Sequence, residues 1–400
     1  MSNYPYVPYG TTVHGEEEIS AVVNVLRTST QMGKNVRELE SKVAGLYDKK
    51  YGIGVNSGSS ALYLAADLMN YEAGTEIITP ALTFSTTVAP LVKRNWVPAF
   101  IDVEEGTYNL DANKIEEMIT SRTKAMVIPN LIGNLPNWKQ IREIADKHQI
   151  FLLEDSADTI GAEIDGASSG RYTDMSTTSF YGSHIMNCAG NGGMLCVNNE
   201  EHYNRGKLLR SWGRSSSLFV ESEAIENRFN VEVDGIPYDA KFVFEEPGYN
   251  IEPSEMGAAF GLVQLSKLPH NIDLRTGHYH KMRQFFEQYE DYFILPNQLP
   301  NSRTGWLAFA VTIKESAPFI RRDLQIFLEK RNIQTRTVFT GNILRQPGFK
   351  NVAHKASANG YPEADKVMRG GMLMACHHGL NDVQIAHVME SVTEFMKLNG

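Results

Sequence analysis

The chain has 400 residues, 42% of them hydrophobic and 21% charged, which is the composition of a globular protein and excludes disordered and fibrous classes. That length exceeds one ordinary core and suits two or three packed units. A balance of 38 Lys plus Arg against 47 Asp plus Glu, with no basic stretch, argues against nucleic-acid or membrane-surface binding, and no apolar run nears the roughly 20 residues of a spanning helix.

The first 14 residues, with two prolines before Gly10, read as an extended arm without the basic region and apolar core of a signal peptide. A cytosolic protein is therefore expected. Apolar spacing predicts helices over Glu16–Arg27 and Val36–Tyr47. Short β-like runs then alternate with helices. Gly52–Val55 leads into a helix over Ser59–Met69, Glu76–Thr79 into Ser85–Lys93, and Val97–Ile101 into Asp111–Ile119. Ala125–Pro129 precedes a helix over Trp138–Lys147, and Ile150–Leu153 follows. This alternation predicts an α/β fold with a mostly parallel sheet. Ser176–Phe180 and Gly190–Val197 extend the strand set, and Ser215–Tyr238 reads as a long functional or mobile loop. A helix is expected from Ser254 to about Arg283, broken at Pro269. A smaller α+β region closes the chain: a strand over Leu307–Ile313 and helices over Phe319–Lys330 and Gln384–Lys397. The expected division is an arm over residues 1–14, a large domain over 15–265 and a small C-terminal domain over 266–400.

Five segments carry chemistry. Asn56–Leu62 (NSGSSAL) sits where a strand opens into a helix, so amides and hydroxyls there can bind an anion, with Ser59 the expected N-cap. Phe84, after the next strand, is either a core residue or a ring that stacks on a flat ligand. Leu152–Asp158 (LLEDSAD) ends an apolar strand in carboxylates, at the sheet edge where open α/β folds bind ligands. A carboxylate buried there needs a cation, such as a protonated pyridine nitrogen, unless it only caps a helix. Ser179–Gly193 places His184 between a strand and a glycine turn, as a base near neutral pH or a hydrogen-bonded structural residue. Pro247–Ala259 is a turn feeding a helix of small residues. His278 and His280, two apart on a helix, face opposite sides and form no metal site.

In this order the segments resemble the DegT/DnrJ/EryC sugar aminotransferase family, over nearly the whole chain. The resemblance implies a PLP-dependent transferase of fold type I, like aspartate aminotransferase, with a large cofactor domain and a smaller C-terminal one. It implies that Gly58, Ser59 and Ser179 hold the phosphate of pyridoxal or pyridoxamine phosphate. Phe84 would stack on the pyridine ring, Asp155 would pair with its nitrogen, and Asp158 would lie near its phenolic oxygen. Asn250, in a Gly-Tyr-Asn motif, would reach the phosphate of a neighbouring subunit, which implies a homodimer with a shared active site.

One position departs from the family. The lysine that forms its Schiff base is replaced by His184, and no lysine occurs between Arg171 and Gly206. An imidazole forms no stable imine, so the cofactor should be held non-covalently, which disfavours ordinary amination. This exchange marks the sugar-nucleotide 3-dehydratases of the family. The chain resembles both GDP-4-keto-6-deoxymannose 3-dehydratase, which uses pyridoxamine phosphate and glutamate alone, and CDP-4-keto-6-deoxyglucose 3-dehydratase, which adds an iron–sulfur cluster and a reductase. Arg210–Arg214 (RSWGR) and Gly341–Pro347 (GNILRQP) look more like the second. The second also carries a cysteine cluster after Trp-Gly-Arg, where this chain has Ser215-Ser216-Ser217. Its three cysteines, Cys188, Cys196 and Cys376, lie elsewhere and are too few for a disulfide framework or a four-thiolate cluster. The expectation is therefore cluster-free removal of a 3-hydroxyl from a GDP- or CDP-linked 4-keto-6-deoxyhexose, with L-glutamate regenerating the cofactor and no metal. His184 would be base and then acid. Arg336 is a candidate for the glutamate carboxylate, and His377 is as consistent with a structural role. The alternatives are an aminotransferase with unusual anchoring, an iron–sulfur 3-dehydratase that recruits Cys188 and Cys196, and a non-catalytic relative.

Overall fold

The computed structural model describes residues 4–219 and 224–400. Seven strands form the central sheet: β1 (Tyr51–Val55), β2 (Glu76–Pro80), β3 (Val97–Ile101), β4 (Thr123–Pro129), β5 (Phe151–Ser156), β6 (Met175–Ser179) and β7 (Gly193–Val197). Their order is β1-β7-β6-β5-β4-β2-β3, and β7 alone runs against the others. The parallel strands are nearly all buried, as expected of a sheet covered on both faces. The helices α1 (Glu16–Thr28), α2 (Lys34–Leu46), α3 (Gly58–Met69), α4 (Ser85–Lys93) and α5 (Trp138–His148) match the apolar spacing read from the sequence. The fold is the α/β architecture with a mostly parallel sheet that the sequence implied.

Three expectations are corrected. Asp111–Ile119 is two 3₁₀ turns, Ala112–Lys114 and Glu116–Met118, not a helix. Asp111 caps the first through its side chain, and the second ends at Ile119 in extended backbone. Ser215–Tyr238 is not one irregular loop. It contains a 3₁₀ turn at Ser215–Leu218, a short helix at Ile225–Arg228 and a hairpin pairing Val231–Val233 with Ile236–Tyr238; residues 220–223 of that loop lie outside the described residues. Third, the long helix α6 (Glu255–Phe286) runs through Pro269 without a break. One amide is lost there, but the helix is anchored on both sides. Ala258, Leu268 and Ile272 pack into the core beside α2, and Tyr279, Met282 and Phe286 into the core of the C-terminal region.

That C-terminal region holds a four-stranded antiparallel sheet in which Ala308–Ile313 and Gly371–Ala375 are the inner strands. Helices Arg321–Glu329 and Asp382–Asn399 pack there, with Leu324, Leu328, Val388, Val392 and Phe395 buried. The arm is tied to it by a bridge between Val7 and Ile333 and by the Tyr9 amide, which donates to Gln334. Gly341-Asn342 clasps the two regions. The Ile343 amide donates to the Ala81 carbonyl at 2.9 Å, and the Thr340 hydroxyl to the Thr83 carbonyl at 2.6 Å.

Glu18 anchors the start of α1. Its fully buried carboxylate accepts from the Gly15 amide, Gln264 and Lys267. Burial alone would raise its pKa, but these donors outweigh it and hold the group at about 2. Because the folded value lies below the unfolded one, the stabilisation is present above pH 4.5 and is lost as pH falls through about 2. Glu18→Gln is expected to cost about 1.5–3 kcal/mol at pH 7 in denaturant unfolding, and the gap to the native chain should shrink towards pH 2. A gap independent of pH would contradict this.

Candidate active site

The carboxyl ends of β1, β2, β4, β5 and β6 converge on a cavity of about 320 Å³, within the range of small-ligand sites. Gly58, Ser59, Phe84, Asp155, Asp158, Ser179 and His184 all line it. Seven of the eight residues expected at the cofactor thus share one space, although they come from four separate segments.

Each is placed by local structure. The helix α3 begins at Gly58, and its N-cap is Ser57 rather than Ser59: the Ser57 hydroxyl accepts from the Ser60 amide at 3.1 Å. This frees the Ser59 side chain for the cavity. The Gly58 and Ser59 amides are among those a helix start leaves without an intrahelical partner, so the wall here suits an anion. Glycine is needed at position 58, because a Cβ would stand 2.6 Å from the Cβ of Ser179. Phe84 is 50% exposed despite its size, meeting Phe339 edge-on at 5.9 Å. It is a ring presented to the cavity and not a core residue.

Strand alternation separates two adjacent acids. Glu154 is fully buried and accepts hydrogen bonds from Asn130, Ser156, Ser169 and Ser176, a structural network. Asp155 is on the opposite face, 5% exposed, with Oδ2 accepting from the Thr87 hydroxyl at 2.7 Å and Oδ1 from the Ala157 amide at 3.2 Å. Burial pushes its pKa up, against the lowering pull of these donors. No ion pair reaches it among the described residues. A buried carboxylate in a cavity wall without a cation fits a ligand that brings one.

Asp158 is half-buried, and its Oδ2 accepts from the Ile132 amide at 2.9 Å. Burial raises its pKa to about 7, with Asp155 adding to the rise and the Ile132 amide opposing it. His184 is held by a hydrogen bond between Nδ1 and the Ser179 carbonyl at 3.2 Å. A carbonyl only accepts, so Nδ1 carries the proton and Nε2 keeps the lone pair. Burial lowers the pKa of this imidazole to about 4; the Ser179 carbonyl opposes the shift and Arg275 adds to it. The ring is therefore neutral at pH 7 and ready to accept a proton at Nε2.

Asn250 does not join this group. It is exposed, bridges to Ser211, and lies outside the cavity; its neighbours Glu252 and Pro253 line a second cavity of about 220 Å³. Arg336 is also exposed and outside the lining, its guanidinium 5.4 Å from the Tyr9 ring centroid. His377 is buried with Nε2 on the Pro8 carbonyl, holding the arm. His278 bonds the His377 carbonyl while His280 is exposed. Cys188, Cys196 and Cys376 are all buried free thiols, raised in pKa by burial. Among the described residues no group of three or more His, Cys, Asp or Glu is placed to hold a metal ion.

Sequence reasoning missed the residues that the arm and helices deliver. Thr87, one turn into α4, orients Asp155, and Tyr9, Gly10, Tyr181, Ser183 and Phe339 complete the wall. Tyr9 and Phe339 carry no local signal, since they reach the cavity only through pairings with distant residues, Tyr9 with Gln334 and Phe339 with Phe84. The arm also braces the histidine turn. The Thr12 hydroxyl donates to the Gly182 carbonyl at 2.9 Å, and a Cβ on Gly10 would stand 2.8 Å from that of Ser183. Gly10→Ala should therefore shift His184 and lower kcat by about 10- to 100-fold while the thermal midpoint moves little. Unchanged kcat in steady-state assays would contradict this.

The sheet order, the helix start facing the cavity and the acid at the end of β5 define a PLP-dependent enzyme of fold type I, like aspartate aminotransferase. The chain belongs to the DegT/DnrJ/EryC1/StrS aminotransferase family, which it matches over residues 12–393, and with it to PLP-dependent sugar-modifying enzymes. It is 33% identical to the dTDP-4-dehydro-2,6-dideoxy-D-glucose 3-dehydratase of Saccharopolyspora spinosa, over 98% of this chain and 87% of that one. It is 30% identical to the GDP-4-keto-6-deoxy-D-mannose 3-dehydratase of Yersinia pseudotuberculosis, over 92% and 94%. It also superimposes, with a TM-score of 0.85 and 27% identity over 97% of this chain and all of the other, on a crystal structure of GDP-4-keto-6-deoxymannose 3-dehydratase with a trapped PLP-glutamate geminal diamine. No helix among the described residues is long and apolar enough to cross a membrane.

Proposed function

We propose that the protein is a pyridoxamine-phosphate-dependent 3-dehydratase that removes the 3-hydroxyl of a nucleotide-linked 4-keto-6-deoxyhexose, with L-glutamate regenerating the cofactor. The observation that carries this is His184 in the cavity where the family places lysine, with Nε2 left as the free base. No lysine lines the cavity among the described residues. When bound, pyridoxamine phosphate supplies an amine for the 4-keto group and a ring that takes up electrons.

The residues present fit that group. The Gly58 and Ser59 amides with the Ser59 and Ser179 hydroxyls would hold the phosphate, and Phe84 would cover one ring face. Asp155, oriented by Thr87, would keep the ring nitrogen protonated. His184 would take a proton at Nε2 from the carbon bearing the amine, then return it to the leaving 3-hydroxyl. A group held near pH 4 when free is a strong acid once protonated, so one imidazole serves both steps. Asn250, exposed beside Ser211, would reach the phosphate of a partner subunit in a homodimer. The names of the two curated relatives support a nucleotide-linked sugar and the trapped glutamate adduct supports the amino donor. That the enzyme is cytoplasmic and works without an iron–sulfur cluster is part of the same proposal, supported by three cysteines that are all buried free thiols.

The test is incubation with pyridoxamine phosphate, glutamate and GDP-, CDP- and dTDP-linked 4-keto-6-deoxyhexoses, reading ammonia and product mass. Equal amounts of ammonia and a 3-deoxy product are expected. An aminosugar without ammonia would overturn the proposal, as would brown, iron-containing protein that needs a reductase.

A further inference from the structure

The N-terminal arm carries Tyr9 into the wall of the cavity, beside Gly10. The ring is fixed from outside the wall that would hold the cofactor. Its backbone amide donates to Gln334 Oε1 at 3.1 Å, and the Arg336 guanidinium lies 5.4 Å from the ring centroid. His377 Nε2 holds the Pro8 carbonyl at 3.1 Å, and the Thr12 hydroxyl donates to the Gly182 carbonyl at 2.9 Å. The chain is thus pinned on both sides of Tyr9, so the ring keeps its place without a ligand.

The hydroxyl at the end of that ring is not accounted for in the same way. It makes no hydrogen bond among the described residues, although the hydroxyl of a buried tyrosine usually finds a partner. Burial raises its pKa, with Asp158 adding to the rise and Arg336 and Arg275 opposing it, so it keeps its proton and can donate. Phenylalanine would fill the same space against the same neighbours. What the oxygen adds is a donor directed at something the protein does not supply.

The position of Tyr9 says what that is. The phosphate, ring face and ring nitrogen of the cofactor are matched by Gly58, Ser59 and Ser179, by Phe84 and by Asp155 in the proposed function. Tyr9 belongs to the side of His184 instead: a Cβ on the adjacent Gly10 would stand 2.8 Å from the Cβ of Ser183, the residue before His184. The sugar must lie there for the imidazole to reach it. No Lys or Arg lines the cavity among the described residues, so the group that meets Tyr9 is a neutral one, not a carboxylate or a diphosphate.

We propose that Tyr9 is a substrate-binding residue that recognises the hexose: its hydroxyl donates a hydrogen bond to a hydroxyl oxygen of the sugar held against His184. This rests on the function proposed above and names the part of the substrate that the arm selects. The arm then braces the histidine turn through Gly10 and Thr12 and reads the sugar through Tyr9. Glutamate presents carboxylates and no hydroxyl, so its reaction with the cofactor does not use this contact.

The experiment compares Tyr9→Phe with the native chain in the two half-reactions. Phenylalanine keeps the ring beside Arg336 and the backbone bond to Gln334, so the arm stays in place. For the sugar nucleotide that the native chain dehydrates, kcat/KM should fall about 10- to 100-fold, because the sugar oxygen loses its donor. The conversion of bound pyridoxal phosphate by glutamate, followed by absorbance, should be unchanged, as should the affinities for pyridoxamine phosphate and for the matching nucleoside diphosphate. Undiminished dehydration overturns the inference. So does an equal loss in both half-reactions, which would make Tyr9 a brace of the cavity and not a contact of the sugar. A native chain that dehydrates none of the GDP-, CDP- and dTDP-linked 4-keto-6-deoxyhexoses overturns the function instead.

Discussion

His184→Asn should abolish dehydration, with a fall in turnover of about 10²–10⁴-fold, while pyridoxamine phosphate still binds. The size follows from the loss of a positioned acid–base group. Binding should survive because the phosphate wall, Phe84 and Asp155 are all independent of the imidazole, whose one hydrogen bond goes to the Ser179 carbonyl. Asparagine can still donate to that carbonyl, so the turn keeps its anchor. Single-turnover assays of product, paired with calorimetric binding of pyridoxamine phosphate, check both halves. Turnover within tenfold of the native chain would refute the assignment of the base. The pH dependence should agree with it. Burial holds the free imidazole near 4, so activity should fail on the acid side only as pH drops towards that value.

The second large effect is at Asp155. Asp155→Asn keeps the shape and the Thr87 contact but removes the charge that would hold the ring nitrogen protonated. A charge-assisted hydrogen bond of this kind is worth about 1.5–3 kcal/mol, or roughly 10- to 100-fold in affinity. Turnover should fall further, by about 10²–10³-fold, because the interaction matters most where charge develops in the reaction. Stopped-flow turnover and pyridoxamine phosphate affinity measure the two separately. Native-like values of both would remove Asp155 from the site. The neighbouring Glu154→Gln should instead lower stability, because its buried oxygens answer to four side chains and none of the ligand.

Much of this site was legible in the sequence for physical reasons. Parallel strands buried on both faces announce themselves as apolar runs, and the ligand edge of such a sheet lies where those runs end. Asn56–Leu62, Leu152–Asp158 and Ser179–His184 each bring residues to the carboxyl end of a strand, so their chemistry converges once the sheet forms. The assignment of the cap failed by two residues because Ser57, Ser59 and Ser60 compete locally and only the close approach of Ser179 to Gly58 decides the register. The helix predicted over Asp111–Ile119 has suitable apolar spacing, yet it forms two 3₁₀ turns with Ala112, Ile115 and Met118 still buried. Tyr9 and Phe339 were invisible because nothing in their neighbourhood encodes a partner hundreds of residues away. The left-handed Ile132 was equally hidden, since its conformation is imposed by Asp158 and Leu307 and not by its own preference.

The claim on which the rest depends is that residue 184 faces the reactive end of a cofactor held without a covalent tether. His184→Lys tests it most directly. The variant, reconstituted with pyridoxal phosphate and reduced with borohydride, should retain the cofactor through denaturation, and peptide mass mapping should find it on Lys at position 184, whereas the native chain should release it. A variant that traps no cofactor, or carries it on a different lysine, would contradict the account.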